Sequence, residues 1–165
     1  LSDRQVTFIP GDAEQLSFPS GQDLIVSCSA LQWFVSPEQF FKRCNALLSG
    51  HGYFAFSTFG KENLKEIAAV TGSGLHYYSL EELKKSLSMH YNIVTAGEER
   101  IRLTFATPLD VLYHLKHTGV TAVCRQAWTK GDLQEFCDKY AKLFSCGNAV
   151  TLTYHPLYII ARKKP

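Results

Sequence analysis

Apolar residues in this chain follow two different periods, and the switches between them mark the elements. Val6 to Pro10 reads as the end of a strand. Asp23 to Ser29 (DLIVSCS) is a short apolar run set off by Gly21, the pattern of a strand buried on both faces. Ser36-Pro37-Glu38-Gln39 then predicts a helix start, with Ser as N-cap, Pro at the first helical position and Gln at the third. Phe40, Phe41, Cys44, Leu47 and Leu48 repeat at helical spacing, and Gly50 ends the run. Tyr53 to Phe59 (YFAFSTF) is a further buried strand. A helical crossover between two strands makes them parallel neighbours in an open α/β sheet. Ligands of such sheets lie beyond the carboxyl ends of the strands, where loops 11–16, 29–36 and 58–60 fall.

The second half is richer in helices. Glu62 to Val70 fits a short helix. Ser79-Leu80-Glu81-Glu82 is a capping box opening a helix to about Ser88, with Glu81 and Lys85 as a supporting i,i+4 pair. Tyr91 to Phe105 predicts a long strand, broken at Gly97. Thr107-Pro108 starts a helix closed by Gly119. Asp132 caps another, with Glu135 at its third position and an apolar stripe of Leu133, Phe136, Cys137, Tyr140, Leu143 and Phe144. Val150 to Ala161 is the final strand, and Pro156 within it argues for a bulge or an edge.

Composition narrows the function classes. A length of 165 residues bounds one domain. With 45% apolar and 19% charged residues the chain is globular rather than disordered. Its apolar runs fall far short of a membrane span, and no basic segment leads into an apolar leader. A net charge of +2 is too weak to point to nucleic acid, yet it allows a local basic face for an acidic partner. The five cysteines, Cys28, Cys44, Cys124, Cys137 and Cys146, have no metal-binding spacing. They read as buried free thiols of a reducing cytoplasm.

The chemistry starts at Gly11-Asp12-Ala13-Glu14. A carboxylate on a loop just past a strand can accept from an exocyclic amine, and the next backbone N–H can meet a neighbouring ring nitrogen, the usual way an adenine edge is read. The same Asp can equally cap a turn after Pro10-Gly11.

The wider stretch GDAEQLSFPSGQDLIVSCSALQW resembles the segments after the third strand and through the fourth strand of class I S-adenosylmethionine-dependent methyltransferases, and GHGYFAFSTFG resembles their fifth strand. ALQW, FSTFG at 56–60, HLKHTG at 114–119, WTKGDL at 128–133 and LTYHPLYIIARK at 152–163 together resemble one subfamily, the malonyl-acyl-carrier-protein O-methyltransferases of biotin synthesis. The resemblance implies an α/β, Rossmann-like methyltransferase sheet with a helical insertion before the last strand. Residues 1–60 or so would carry the cofactor-side strands, and 61–165 the substrate-side helices and C-terminal antiparallel strands. It implies S-adenosyl-L-methionine as cofactor, acyl carrier protein bearing a malonyl thioester as partner, and no metal.

Carried over residue by residue, the resemblance puts Asp12 and Ala13 at the adenine and Ser27, Cys28 and Ser29 beside the cofactor. Leu31, Gln32 and Trp33 would line the methyl-transfer pocket. Such a reaction needs no general base, because a carboxylate nucleophile is already ionised, and alignment alone can supply about 7–11 kcal/mol. Donors should orient the carboxylate without pairing it tightly, since a tight ion pair stabilises the ground state. Gln32, Trp33, His114, Lys116, Thr118 and Arg125 are the candidates. Trp33 is equally a core aromatic. His114, His117 and Lys116 fit a solvated helix face or a carrier-protein contact, and Arg100 with Arg102 fits the same two roles. Another small-molecule carboxyl methyltransferase and a non-catalytic methyltransferase-like subunit remain as alternatives.

The family's glycine-rich loop after its first strand and the acidic residue ending its second are not found in this sequence. The expectation is therefore a piece of a longer polypeptide, with Asp23–Ser29 left as an open edge that another segment or chain covers.

Overall fold

The computed structural model describes residues 6–120 and 128–165. Strand β1 (Gln22–Cys28) is followed by a single 3₁₀ turn (Leu31–Trp33), helix α1 (Pro37–Leu47) and strand β2 (Leu48–Phe59). Helices α2 (Lys65–Thr71) and α3 (Leu80–Leu87) precede strands β3 (Tyr91–Glu98) and β4 (Ile101–Phe105). Helices α4 (Pro108–His117) and α5 (Lys130–Phe144) come next, then β5 (Ser145–Cys146), β6 (Ala149–Tyr154) and β7 (Pro156–Lys163).

Two sheets result. The first has the order β1-β2-β7-β3, the second β4-β6-β5. β1 and β2 are parallel, as the crossover through α1 requires, with Ile25 opposite Phe54 and Ser27 opposite Phe56. β7 runs antiparallel between β2 and β3. The fold class is α/β, as expected.

Several boundaries differ from the sequence reading, each for a tertiary reason. Val6–Pro10 forms no strand: these residues have no partner to pair with among the described residues, and Phe8 is 88% exposed. The run Val150–Ala161 is two strands in different sheets, with Pro156 at the first position of β7, where a missing N–H costs least. Tyr91–Phe105 is likewise divided between the sheets at Glu99-Arg100, beyond Gly97. The last long helix starts at Lys130 because Thr129 is its N-cap, and Asp132 closes the capping box from the third position. Ser36 makes no side-chain cap to α1, and Glu81 pairs with Lys84 rather than Lys85.

Strand β1 is not buried on both faces. Helices α1 and α3 cover one face of the first sheet and form its core through Phe40, Phe41, Phe54, Phe56, Leu83, Leu87, Tyr91 and Ile159. On the other face Leu24, Val26, Tyr158 and Ile160 are exposed, and β1 is the edge strand. Cys28 points to this exposed side, so it is not the buried thiol expected, and Cys146 is exposed as well. Cys44 is buried, which pushes its thiol up to about 12. A second core, around Ile67, Val111, Leu115, Phe136, Tyr140 and Leu152, packs α2, α4 and α5 on the second sheet. The apolar stripe of α5 contributes Phe136 and Tyr140, whereas Leu143 faces out.

Candidate active site

The loops expected to carry function gather at the carboxyl ends of β1 and β2. Within loop 11–16, the Asp12 carbonyl accepts from the N–H groups of Gln15 and Leu16, both at 2.9 Å. The Asp12 Oδ1 accepts from the Glu14 N–H at 2.9 Å, an Asx turn. The turn role and the ligand role coexist, because Oδ2 and the Ala13 N–H take no hydrogen bond among the described residues. The loop is clamped from both sides. Glu14 Oε2 and Oε1 accept from the Val35 and Ser36 N–H groups at 2.9 Å each, which ties the loop to the chain entering α1. Arg43 on α1 donates to the carbonyls of Ala13, Glu14 and Leu16.

At the end of β1, Ser29 sits at φ 50 in the left-handed region, with its N–H held by the Ser57 carbonyl at 3.0 Å and the Ser57 hydroxyl at 3.2 Å. That conformation is unfavourable for a residue with a Cβ and persists where surrounding bonds enforce it. The 3₁₀ turn then sends Leu31 into the core at 2% exposure and leaves Trp33 52% exposed. Gln32 is spent on local ties: its Nε2 donates to the Ser29 carbonyl at 2.5 Å, and its Oε1 accepts from Thr58 Oγ1 at 3.1 Å. A cleft of about 520 Å³ runs along the open side of β1, with Ala13, Ser27, Cys28 and Phe34 among its walls.

A second, smaller cavity of about 200 Å³ opens beside Trp33, lined also by Asn63, Leu64, Ile67 and Tyr77. Beneath it the chain crosses between the sheets at His155, which is 3% exposed. Its Nδ1 faces the Glu62 backbone N–H at 3.1 Å. A backbone N–H only donates, so Nδ1 accepts and the ring proton lies on Nε2, which meets Glu98 Oε2 at 3.2 Å. Gly60 packs flat against this ring. On the rim, Arg100 and Lys65 hydrogen-bond Glu62 and hold its carboxyl at about 2, and Lys61 with Ser79 holds Glu82 at about 2.

A family model described as "Methyltransferase domain" matches residues 1–56. The "Malonyl-[acyl-carrier protein] O-methyltransferase" of Bacteroides thetaiotaomicron is 56% identical over 99% of this chain and 67% of its own length. This chain belongs to the malonyl-[acyl-carrier protein] O-methyltransferase family. The Bacteroides fragilis member is 57% identical over 99% of this chain, which spans only 34% of it. Among solved structures, a putative methyltransferase from Bacillus halodurans superposes with a TM-score of 0.67 at 17% identity, covering 99% of this chain and 74% of that one, a likeness of fold.

Against this family assignment the candidate residues separate. Ala13 and Ser27 share the larger cleft, and Asp12 lies over the adjoining hollow with Glu14 and Arg43. Ser29 is the strained turn that aims the following segment. Trp33 is an exposed pocket wall, which removes the core-aromatic alternative, and Leu31 is core rather than pocket lining. His114 is not on a solvated face: it is half-buried, and its Nε2 lies 3.0 Å from the Tyr154 hydroxyl. Lys116, two residues on, is exposed on another side of α4, so the pair does not converge. The Thr118 hydroxyl donates to main-chain carbonyls of its own helix. Arg100 is in the turn between β3 and β4 and engages Glu62 and Glu98, rather than alternating with Arg102 along one strand. Arg125 and Cys124 lie outside the described residues.

Sequence reasoning missed Asn63, Tyr77, Glu98 and Arg43. The first three are brought together by the crossing of the two sheets, at separations no local spacing reveals. Arg43 had a local trace: it is the one basic residue on α1 adjacent to Cys44 on the buried face.

Proposed function

We propose that the protein transfers a methyl group from S-adenosylmethionine to the free carboxylate of a malonyl thioester on acyl carrier protein, an early step of biotin synthesis in the cytoplasm. The observation that carries this reading is 56% identity, over 99% of the chain, to a relative of that name. The geometry supports it. Among the described residues, the loop clamped by Glu14 and Arg43 leaves the Ala13 N–H and the Asp12 Oδ2 without hydrogen bonds, two neighbouring groups of the kind that suit an adenine edge. Ala13, Ser27 and Cys28 border the cleft in which such a cofactor would lie.

When bound, S-adenosylmethionine supplies an electrophilic methyl group on a sulfonium, and the sulfur leaves as a neutral thioether. The residues around the smaller cavity have a simpler task. They exclude water, hold the carboxylate in line and leave its charge available. Lys61 and Lys65 are suited to that restraint, because Glu82 and Glu62 already engage them. No helix among the described residues is long and apolar enough to cross a membrane.

The test is methyl transfer by the full-length protein from radiolabelled S-adenosylmethionine to malonyl-acyl carrier protein, acetyl-acyl carrier protein and free malonate. Label is expected on the malonyl carrier alone, released by mild base as a methyl ester should be. Equal labelling of free malonate would favour a general carboxyl methyltransferase, and no labelling of the malonyl carrier would overturn the reading.

A further inference from the structure

The small cavity beside Trp33 contains a hydrogen-bond donor whose direction is fixed by the fold. Asn63 is 5% exposed. Its Oδ1 lies 3.2 Å from the His155 backbone N–H, and its Nδ2 lies 3.1 Å from the Tyr77 hydroxyl oxygen. The His155 N–H can only donate, so the oxygen of the amide must face it and the NH₂ must face Tyr77. The Tyr77 oxygen therefore accepts, and its own proton is left to point elsewhere. That proton has no acceptor among the described residues, and Tyr77 lines the cavity.

We propose that Tyr77 is a substrate-binding residue, whose hydroxyl, turned outward by Asn63, donates to the ionised carboxylate of the acyl group about to be methylated. The proposal rests on the carboxyl-methyltransferase reading above and adds the group that positions the nucleophile. Two observations and one chemical argument favour a short carboxylate as the ligand. The cavity, at about 200 Å³, is below the roughly 300–1,000 Å³ of cofactor and drug-sized sites and suits a short acyl chain. Lys61 and Lys65 on its wall each place one N–H on a glutamate, whereas the Tyr77 hydroxyl is an uncharged donor whose proton has no acceptor among the described residues. An uncharged donor orients a carboxylate while quenching its nucleophilicity less than a cation would. Burial, and Tyr154 nearby, push the Tyr77 phenol above its ordinary value despite the Asn63 bond, so the proton stays in place.

The experiment compares three variants of the full-length protein. Tyr77→Phe removes only the hydroxyl. Asn63→Asp keeps the acceptor for His155 but offers Tyr77 a second acceptor, so the hydroxyl turns inward. Each is expected to lower kcat/KM for malonyl-acyl carrier protein about tenfold or more, the usual scale for a hydrogen bond to a charged group. Affinity for S-adenosylhomocysteine, measured by calorimetry, should stay within about twofold, because neither Tyr77 nor Asn63 borders the larger cleft. The double variant should lose no more than either single one, since both act through one proton. Wild-type transfer with Tyr77→Phe unimpaired would overturn the assignment, and so would multiplicative losses in the double variant. No transfer by the wild type would overturn the functional reading itself, and the assignment with it. Should Asn63→Asp fail to fold, Tyr77→Phe alone decides.

Discussion

Replacing Gly60 by Ala should destabilise the protein markedly. A Cβ at Gly60 would stand 2.6 Å from His155 Cε1 and 2.7 Å from Nδ1. Ordinary contact begins at 3.4 Å, so the ring must retreat by about 0.8 Å. It is 3% exposed and tied at both nitrogens, by 3.1 Å to the Glu62 N–H and 3.2 Å to Glu98. Retreat stretches at least one of these bonds beyond useful length, and water cannot replace it. Overpacking costs about 1–3 kcal/mol and an unsatisfied buried group about 1–3 kcal/mol; because the two trade against each other, a total of about 2–4 kcal/mol is expected. At about 3 °C per kcal/mol for a chain of this size, Tm falls by roughly 6–12 °C. The control is Gly97→Ala in β3, where a Cβ meets nothing within 4 Å and the loss of chain entropy predicts a change of about 0.5–1 kcal/mol in the stabilising direction. Calorimetric melting of both variants tests this. A Gly60→Ala protein melting within about 2 °C of wild type would refute the picture of a His155 locked against that glycine.

Asp12→Ala should weaken S-adenosylhomocysteine binding in calorimetry while leaving the melting temperature within a few degrees, since Asp12 is exposed and its one turn bond is local. Unchanged affinity would remove Asp12 from the site. Arg43→Ala should reduce that affinity too, but with a loss of stability, because three main-chain carbonyls lose their donor; Arg43→Lys should restore it only in part, since an ammonium lacks the guanidinium's fork. The carboxyls of Glu62 and Glu82 are held at about 2, well below the ordinary value of 4.5, by Arg100 and Lys61 foremost. A depressed carboxyl stabilises the fold above its unfolded value and ceases to do so as it protonates, so Tm should decline as pH falls from 4.5 towards 2. The decline should flatten in Glu62→Gln, and it should shrink in molar salt because these groups are exposed.

Local information was sufficient wherever one stretch of chain settles its own structure. The crossover helix between two apolar runs required β1 and β2 to be parallel, and they are. Ser79 with Glu82, and Thr107 with Pro108, start their helices because a cap bonds only three residues away. The ALQW and LTYHPLY stretches carried the family. Tertiary structure decided everything that depends on a distant partner. An apolar run does not state how many faces of its sheet are covered, so Leu24 and Val26, which read as buried, are exposed on β1. Ser36 has the composition of a cap but makes no side-chain cap bond, and it is Glu14, distant in sequence, that holds the Val35 and Ser36 N–H groups at the entry to α1. The run from Val150 to Ala161 is continuous in sequence and divides at His155-Pro156 because its halves pair with different sheets. The same division places His155 against Gly60, Asn63 and Glu98, and so sets the direction of the Tyr77 hydroxyl. Capping and crossover rules act over a few residues, whereas a donor's direction depends on which group the fold brings to its other side.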